Sequence, residues 1–297
     1  MESEMPTFVF MIGNGRSGST LVHELLARHP GVGFVSNLED RIPTLPPSAG
    51  RYNNTLYRRV PAPLTRKGRL RYAPSEAYRA LSRQVSPMIA SSSRDLLASD
   101  AMPWVTRRFR SFFADRALVQ GKPVFLHKFT GWPRSGFIRE VFPDARFIHI
   151  VRDPRAFVAS VVQTSWWRGY VGPEQLHVGP LPVAYAAEWE ASGRSFPLLA
   201  GLSWKVVMDA YVAARELVPS GHWLDVRFED VLADPGSRFK EMLEFMGLEE
   251  DDQFAAALAR TTFATDRRDA FRRDLDAAAL ARLEASLTGH LQLWGYA

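Results

Sequence analysis

The first apolar run, Phe8 to Ile12, is short, unbroken and closed by Gly13, a pattern that predicts a strand buried on both faces of a parallel sheet. Beyond the glycine-rich stretch 13–20, Leu21, Val22, Leu25 and Leu26 recur at helical spacing, and His29-Pro30-Gly31 supplies a stop. Val32 to Val35 reads as a second strand, completing a β-loop-α-β opening. From about 41 to 75 neither period holds. The prolines, arginines and tyrosines there predict a basic insertion crossing the sheet's ligand-binding edge, not a second domain. Helical material is expected over 75–118, with strands at Val124–Leu126 and Arg146–Val151 and a helix between them. A strand at Trp223–Phe228 and amphipathic helices at 236–247 and 276–290 close the chain. The economical architecture is one α/β domain over 1–297, three-layered, with a central parallel sheet flanked by helices.

Composition narrows the chemistry. Apolar residues at 46% and charged residues at 23% of 297 exclude a disordered, collagen-like or coiled-coil chain. The absence of cysteine excludes disulfide scaffolds, thiolate zinc sites and thiol nucleophiles, and fits a reducing cytoplasm. The N-terminal MESEMPTFVFMIG, with early acids and a short apolar run, predicts neither a signal peptide nor a membrane span. A net charge of +5 favours anionic ligands but is too mild to predict nucleic-acid binding. Abundant Ala and Arg suggest a GC-rich bacterial source. Arg51, Arg58, Arg59, Arg66, Lys67, Arg69 and Arg71 fall in a stretch without acids, either a solvated loop or an electropositive lid.

Between the first strand and first helix, Gly13-Asn14-Gly15-Arg16-Ser17-Gly18-Ser19-Thr20 offers backbone N–H groups and a helix dipole to an anion. Two templates fit. Gly13, Gly15 and Gly18 match the dinucleotide fingerprint, with Glu39 where a ribose-binding acid is expected. Gly13, Gly18 and Thr20 match the phosphate loop, but Ser19 stands in place of its lysine, which disfavours an ordinary ATPase. The hydroxyls of Ser17, Ser19 and Thr20 and the planar fork of Arg16 suit a compact phosphate.

A second anion element runs from Phe147 to Ala156. Asp153 as N-cap and Pro154 at the first helical position are local structure. Arg152, at the strand's C-terminal end, is not, and Ser160 lies two turns up the following helix on nearly the same face. The two elements together describe a ligand with two separate anionic ends.

Gly15-Arg16-Ser17-Gly18-Ser19-Thr20-Leu21 and Val151-Arg152-Asp153-Pro154-Arg155-Ala156 with Ser160 resemble the sulfotransferase family. Val226-Arg227-Phe228-Glu229-Asp230-Val231, Asp234-Pro235 and a final Trp294-Gly295-Tyr296 extend the likeness over most of the chain. The resemblance implies a P-loop-containing nucleoside triphosphate hydrolase-like fold. It also implies 3′-phosphoadenosine 5′-phosphosulfate (PAPS) as co-substrate and 3′-phosphoadenosine 5′-phosphate (PAP) as product. Arg16, Ser17, Gly18, Ser19 and Thr20 would then hold the 5′-phosphosulfate, and Arg152 with Ser160 the 3′-phosphate. Phe228 replaces the family's tyrosine and is expected to be a core aromatic on a strand.

In members with a histidine base, that histidine lies two residues after a lysine; here Lys128 is followed at that spacing by Thr130. Ser36 to Ile42 resembles instead the protein-tyrosine sulfotransferase branch, which makes Glu39 the expected base, with Lys128 and Arg16 stabilising the leaving phosphate oxygen. A salt bridge to Arg41 or to a loop arginine is the plainer role for Glu39. No metal is expected, since His23-Glu24 lacks the second histidine of the zinc motif, Ala27 standing there. His127 is read as a packing residue or an aid to the acceptor, and His149 as a core histidine. Trp166, Trp167, Tyr170, Trp189 and Trp204 would line an apolar acceptor pocket or pack a helical layer. The resemblance implies in-line transfer of a sulfuryl group to a hydroxyl, or second an amine, of an acceptor left open among small molecule, glycan, lipid and peptide. The rivals are a NAD(P)-dependent oxidoreductase, which leaves Arg152 and Ser160 unexplained, and a non-catalytic nucleotide-binding adaptor.

Overall fold

The computed structural model describes residues 5–60, 72–264 and 269–297. Five strands, β1 (Thr7–Gly13), β2 (Val32–Gly33), β3 (Val124–Thr130), β4 (Arg146–Val151) and β5 (Trp223–Arg227), form a parallel sheet in the order β2-β3-β1-β4-β5. β1 is apolar throughout because both faces are covered. Phe8, Phe10 and Ile12 join Phe125, Phe129 and Phe147 in one core. That core is roofed by Pro103–Gln120, Ser135–Val141, Pro154–Val161, Phe196–Leu217 and Ala277–Leu293. Val9 and Met11 join Leu126, Ile148 and Ile150 in the other, under Ser19–Leu26 and Pro235–Met246.

The connections place the site. The chain leaves β1 for β2 and β3 on one side, then crosses to β4 and β5 on the other. A crevice therefore opens at the C-terminal end of β1, where parallel α/β sheets bind ligands. Gly13 of β1 pairs with Thr130 of β3, and Val151 of β4 with Arg227 of β5, so the ends of all four strands border it.

Several elements differ from the sequence reading. β3 extends to Thr130, because Lys128 and Thr130 continue the pairing with β1. The 41–75 insertion is not featureless: it contains the 3-10 turn Pro47–Gly50 and the helix Asn53–Arg59. Arg58 donates to Gln253 Oε1 at 2.6 Å and, with Arg28, Arg59 and Arg260, lines a separate cavity of about 380 Å³. Arg58 and Arg59 therefore form no lid over the crevice; Arg66, Lys67, Arg69 and Arg71 lie outside the described residues. Phe228 is not on a strand but starts the helix Phe228–Ala233. The helix Phe196–Leu217 was not delimited by pattern, being buried around most of its first half. It is the one described helix long and apolar enough to cross a bilayer, and 61% of that window is packed inside the protein.

Candidate active site

The glycine loop turns sharply into its helix through two left-handed residues, Arg16 at φ 64° and Gly18 at φ 85°. Gly18 is required twice over: by its backbone conformation, and because a Cβ there would collide with the ring of Phe228. Phe228 thus seals the loop from one side. A non-glycine residue held left-handed, as Arg16 is, is the kind of strain that accumulates at binding sites. Ser19 and Thr20 line the crevice. Ser17 does not: it is 2% exposed, packs toward Gly13, and its Oγ has no hydrogen-bond partner among the described residues. The expectation that the Ser17 hydroxyl holds phosphate is corrected accordingly.

The second element reaches the same place. Arg152 Nη1 donates to the Arg16 carbonyl at 2.9 Å, and Arg16 Nε donates to Ser160 Oγ at 2.9 Å. Arg152 and Ser160 therefore meet through Arg16 and not through each other. Burial lowers the Arg152 pKa from its usual value, the Glu229 carboxylate opposes this, and the Arg16 charge lowers it further. Two guanidiniums so close favour an added anion. The loop carrying Arg152 is anchored by residues of the later motifs. Glu229 accepts from the Asp153 N–H at 3.1 Å and from the Tyr296 hydroxyl at 2.7 Å, and Arg155 bridges Asp153 and Glu284. Asp153 also caps its helix.

Lys128 comes from β3. Its Nζ donates to Thr20 Oγ1 at 2.8 Å and pairs with Glu76 Oε1 at 2.6 Å. A strand lysine thus stands beside the loop whose own lysine position is Ser19. Behind it, His127 and His23 are wholly buried. Desolvation and the Lys128 charge push the His127 pKa down to about 3 and that of His23 in the same direction, so both stay neutral. His127 packs among Phe10, Phe113 and Phe129 and does not face the crevice. His149 is a core histidine whose Nδ1 bonds Asp225 at 2.8 Å, while its buried Nε2 has no partner among the described residues.

Glu39 is elsewhere. It is 1% exposed, and its carboxylate accepts from Ser36 N at 2.9 Å, Ser36 Oγ at 2.9 Å, Asn53 Nδ2 at 2.6 Å and Arg116 Nε at 3.0 Å. Ser36 and Glu39 form a reciprocal capping box at the start of Asn37–Arg41. This corrects the expectation of Glu39 as the base: every contact of its oxygens is structural, and it lines neither cavity of the crevice. It is also misplaced for a ribose.

The crevice has two chambers, each of about 560 Å³. One is lined by the glycine loop, Lys128, Arg152 and Phe228. The other is mainly apolar, with Trp132, Phe157, Val161, Trp167 and Val207 in its wall. Gly15, Glu76, Thr130 and Trp166 line both. Of the aromatics singled out by sequence, Trp166 and Trp167 face this space, Trp189 and Trp204 are buried in packing, and Tyr170 is exposed. Glu76, Trp132 and the chamber-lining role of Phe228 were not foreseen.

Comparison with known proteins bears on the fold and the family. The omega-hydroxy-beta-dihydromenaquinone-9 sulfotransferase Stf3 of Mycobacterium bovis is 32% identical over 133 residues, 43% of this chain and 29% of that protein. The chain therefore matches less than a third of that curated relative's length. In fold, it is similar to sulfotransferase STF1 from Mycobacterium tuberculosis, at TM-score 0.56 and 18% identity over 96% of this chain and 78% of that one. It is also similar to STF9 from Mycobacterium avium, at TM-score 0.53 and 16% identity over 99% and 77%. Their architecture is the P-loop nucleoside triphosphate hydrolase-like one. A model described as "Sulfotransferase family" matches residues 6–252, and with most of its length so covered the chain belongs to the sulfotransferase family.

Proposed function

We propose that this protein transfers a sulfuryl group from PAPS to a hydroxyl carried on an apolar acceptor. The observation that carries the reading is the meeting of Arg16, from the loop after β1, with Arg152 and Ser160, from the turn and helix after β4, at a polar chamber that opens into an apolar one. The chain's residues fit such a donor. The loop at Gly18 leaves room only for backbone on the side sealed by Phe228, and Glu229 and Asp153 oppose the charge of Arg152 beside Arg16.

In this reading Arg16, Ser19 and Thr20, with the N–H groups following Gly18, hold the 5′-phosphosulfate, and Arg152 with Ser160 holds the 3′-phosphate. Lys128 and Arg16 stabilise charge on the phosphate oxygen as the sulfur–oxygen bond breaks. Phe228 offers a ring face beside the nucleotide. The apolar chamber supports an acceptor with a hydrophobic body, in keeping with the menaquinone-derived compound in the name of the Mycobacterium bovis relative. A dinucleotide-dependent oxidoreductase is not supported, because the acid it needs, Glu39, is sealed against Arg116. The test is transfer of radiolabelled sulfate from PAPS to farnesol. Labelled product is expected, and labelled product formed equally well from adenosine 5′-phosphosulfate, which lacks the 3′-phosphate, would overturn the reading.

A further inference from the structure

We infer that Glu76 is the general base that takes the acceptor's proton. The inference rests on the sulfotransferase reading above and adds the residue that reading lacks once Glu39 is removed. Among the described residues four line both chambers, Gly15, Glu76, Thr130 and Trp166, and of these Glu76 alone carries a side chain able to accept a proton near neutral pH. The donor's sulfur and the acceptor's oxygen have to meet at that shared wall.

The fold fixes Glu76 there with several backbone ties. The chain returns from the insertion to pair with the end of β2. Ser36 bridges Pro74, the Ser75 N–H donates to the Val35 carbonyl at 2.8 Å, and the Asn37 N–H donates to the Ala73 carbonyl at 2.9 Å. Directly after Glu76, Ala77 is held left-handed at φ 53°. The next residue, Tyr78, accepts from the Thr130 N–H at 2.8 Å, which fastens this turn to the end of β3. A non-glycine residue in that conformation costs about 1 kcal/mol or more, strain of the kind that collects at functional sites, and Glu76 beside it lines the crevice wall.

Glu76 also has the right neighbour. Its carboxylate pairs with Lys128, and its side chain is 27% exposed while Lys128 is 3% exposed. As the donor enters, its bridging oxygen competes for Lys128, while the Glu76 carboxylate keeps its place on the wall shared with the acceptor's chamber. In the transfer, the acceptor oxygen attacks sulfur and its proton passes to a Glu76 oxygen. The bond from sulfur to the 5′-phosphate oxygen breaks, and its electron pair stays on that phosphate beside Lys128. PAP and the sulfate ester leave, and Glu76 gives the proton to water.

The experiment compares wild type with Glu76→Gln on two acceptors, farnesol and 2-naphthol, from pH 6 to 10, with PAP binding followed by calorimetry. The expected result is a fall of about 100-fold or more in kcat on farnesol at every pH. PAP affinity should stay within about threefold of wild type, so that the loss lies in proton transfer. On 2-naphthol the variant should recover as pH rises, because an ionised phenol needs no base; a carboxylate that merely positions Lys128 would give no such recovery. Turnover of farnesol by Glu76→Gln within about threefold of wild type would overturn the assignment while leaving the sulfotransferase reading intact. A wild type that fails to bind PAP would overturn both.

Discussion

Glu39→Gln separates a structural carboxylate from a chemical one. All four contacts of the Glu39 oxygens come from donors: Ser36 N, Ser36 Oγ, Asn53 Nδ2 and Arg116 Nε. A glutamine offers one carbonyl oxygen, and its NH₂ would be turned against groups that can only donate or prefer to. Arg116, also 1% exposed, would keep its charge with no carboxylate bonded to it, held by the Phe112 carbonyl, the Gln84 amide oxygen and the Phe112 ring, with Asp115 acting at longer range. Breaking a buried pair in this way costs about 3–5 kcal/mol. At about 2 °C per kcal/mol for a chain of this size, the melting temperature should fall by roughly 6–10 °C. Replacing both partners by apolar residues, Glu39→Leu with Arg116→Met, should cost less than the sum of the single changes. The assay is urea and thermal unfolding, paired with turnover per folded molecule well below the transition. A Glu39→Gln protein that melts like wild type yet loses turnover 100-fold or more would refute the structural placement.

Two further outcomes follow from the packing. Gly18→Ala should weaken PAP binding at least about tenfold, because the left-handed backbone and the Phe228 ring both oppose a methyl group there. Calorimetry checks it, and unchanged affinity would show that the loop can shift without loss. His23, His127 and His149 are buried with pKa values held below the ordinary histidine value. The unfolded chain therefore binds protons that the folded one refuses, and stability should drop as pH falls below about 6.5, by up to about 1.4 kcal/mol per pH unit for each histidine. Asp95, whose carboxyl burial pushes up to about 6, acts in the opposite sense between about 4 and 6 and offsets one of the three. Urea midpoints between pH 7.5 and 5 read the slope, and a flat profile would contradict it.

What the sequence disclosed, and what it did not, divides along physical lines. The glycine loop and the Arg152 element were legible because backbone geometry restricts the residue types: Gly18 by its φ, Pro154 and Asp153 by the helix start. Glu39 was misread although its true role was printed locally. Ser36-Asn37-Leu38-Glu39 has the spacing of a capping box, a signal that competes with catalytic analogy and here prevails. Ser17 faces inward because side-chain direction in a tight loop follows no period. Glu76 was invisible for a different reason: residues 73–75 meet 35–37 only through tertiary pairing across the insertion. Phe196–Leu217 was missed because a helix buried around most of its first half carries little amphipathic signature.

In the proposed binding mode, Arg16 with its loop and Arg152 with Ser160 grip two phosphates of one nucleotide. Calorimetric titration of wild type and Arg152→Ala with PAP and with 5′-AMP tests it most directly. Wild type should bind PAP at least about 30-fold more tightly than 5′-AMP, equivalent to roughly 2 kcal/mol or more for the 3′-phosphate, and Arg152→Ala should erase most of that difference. Equal affinity of wild type for the two nucleotides would contradict it.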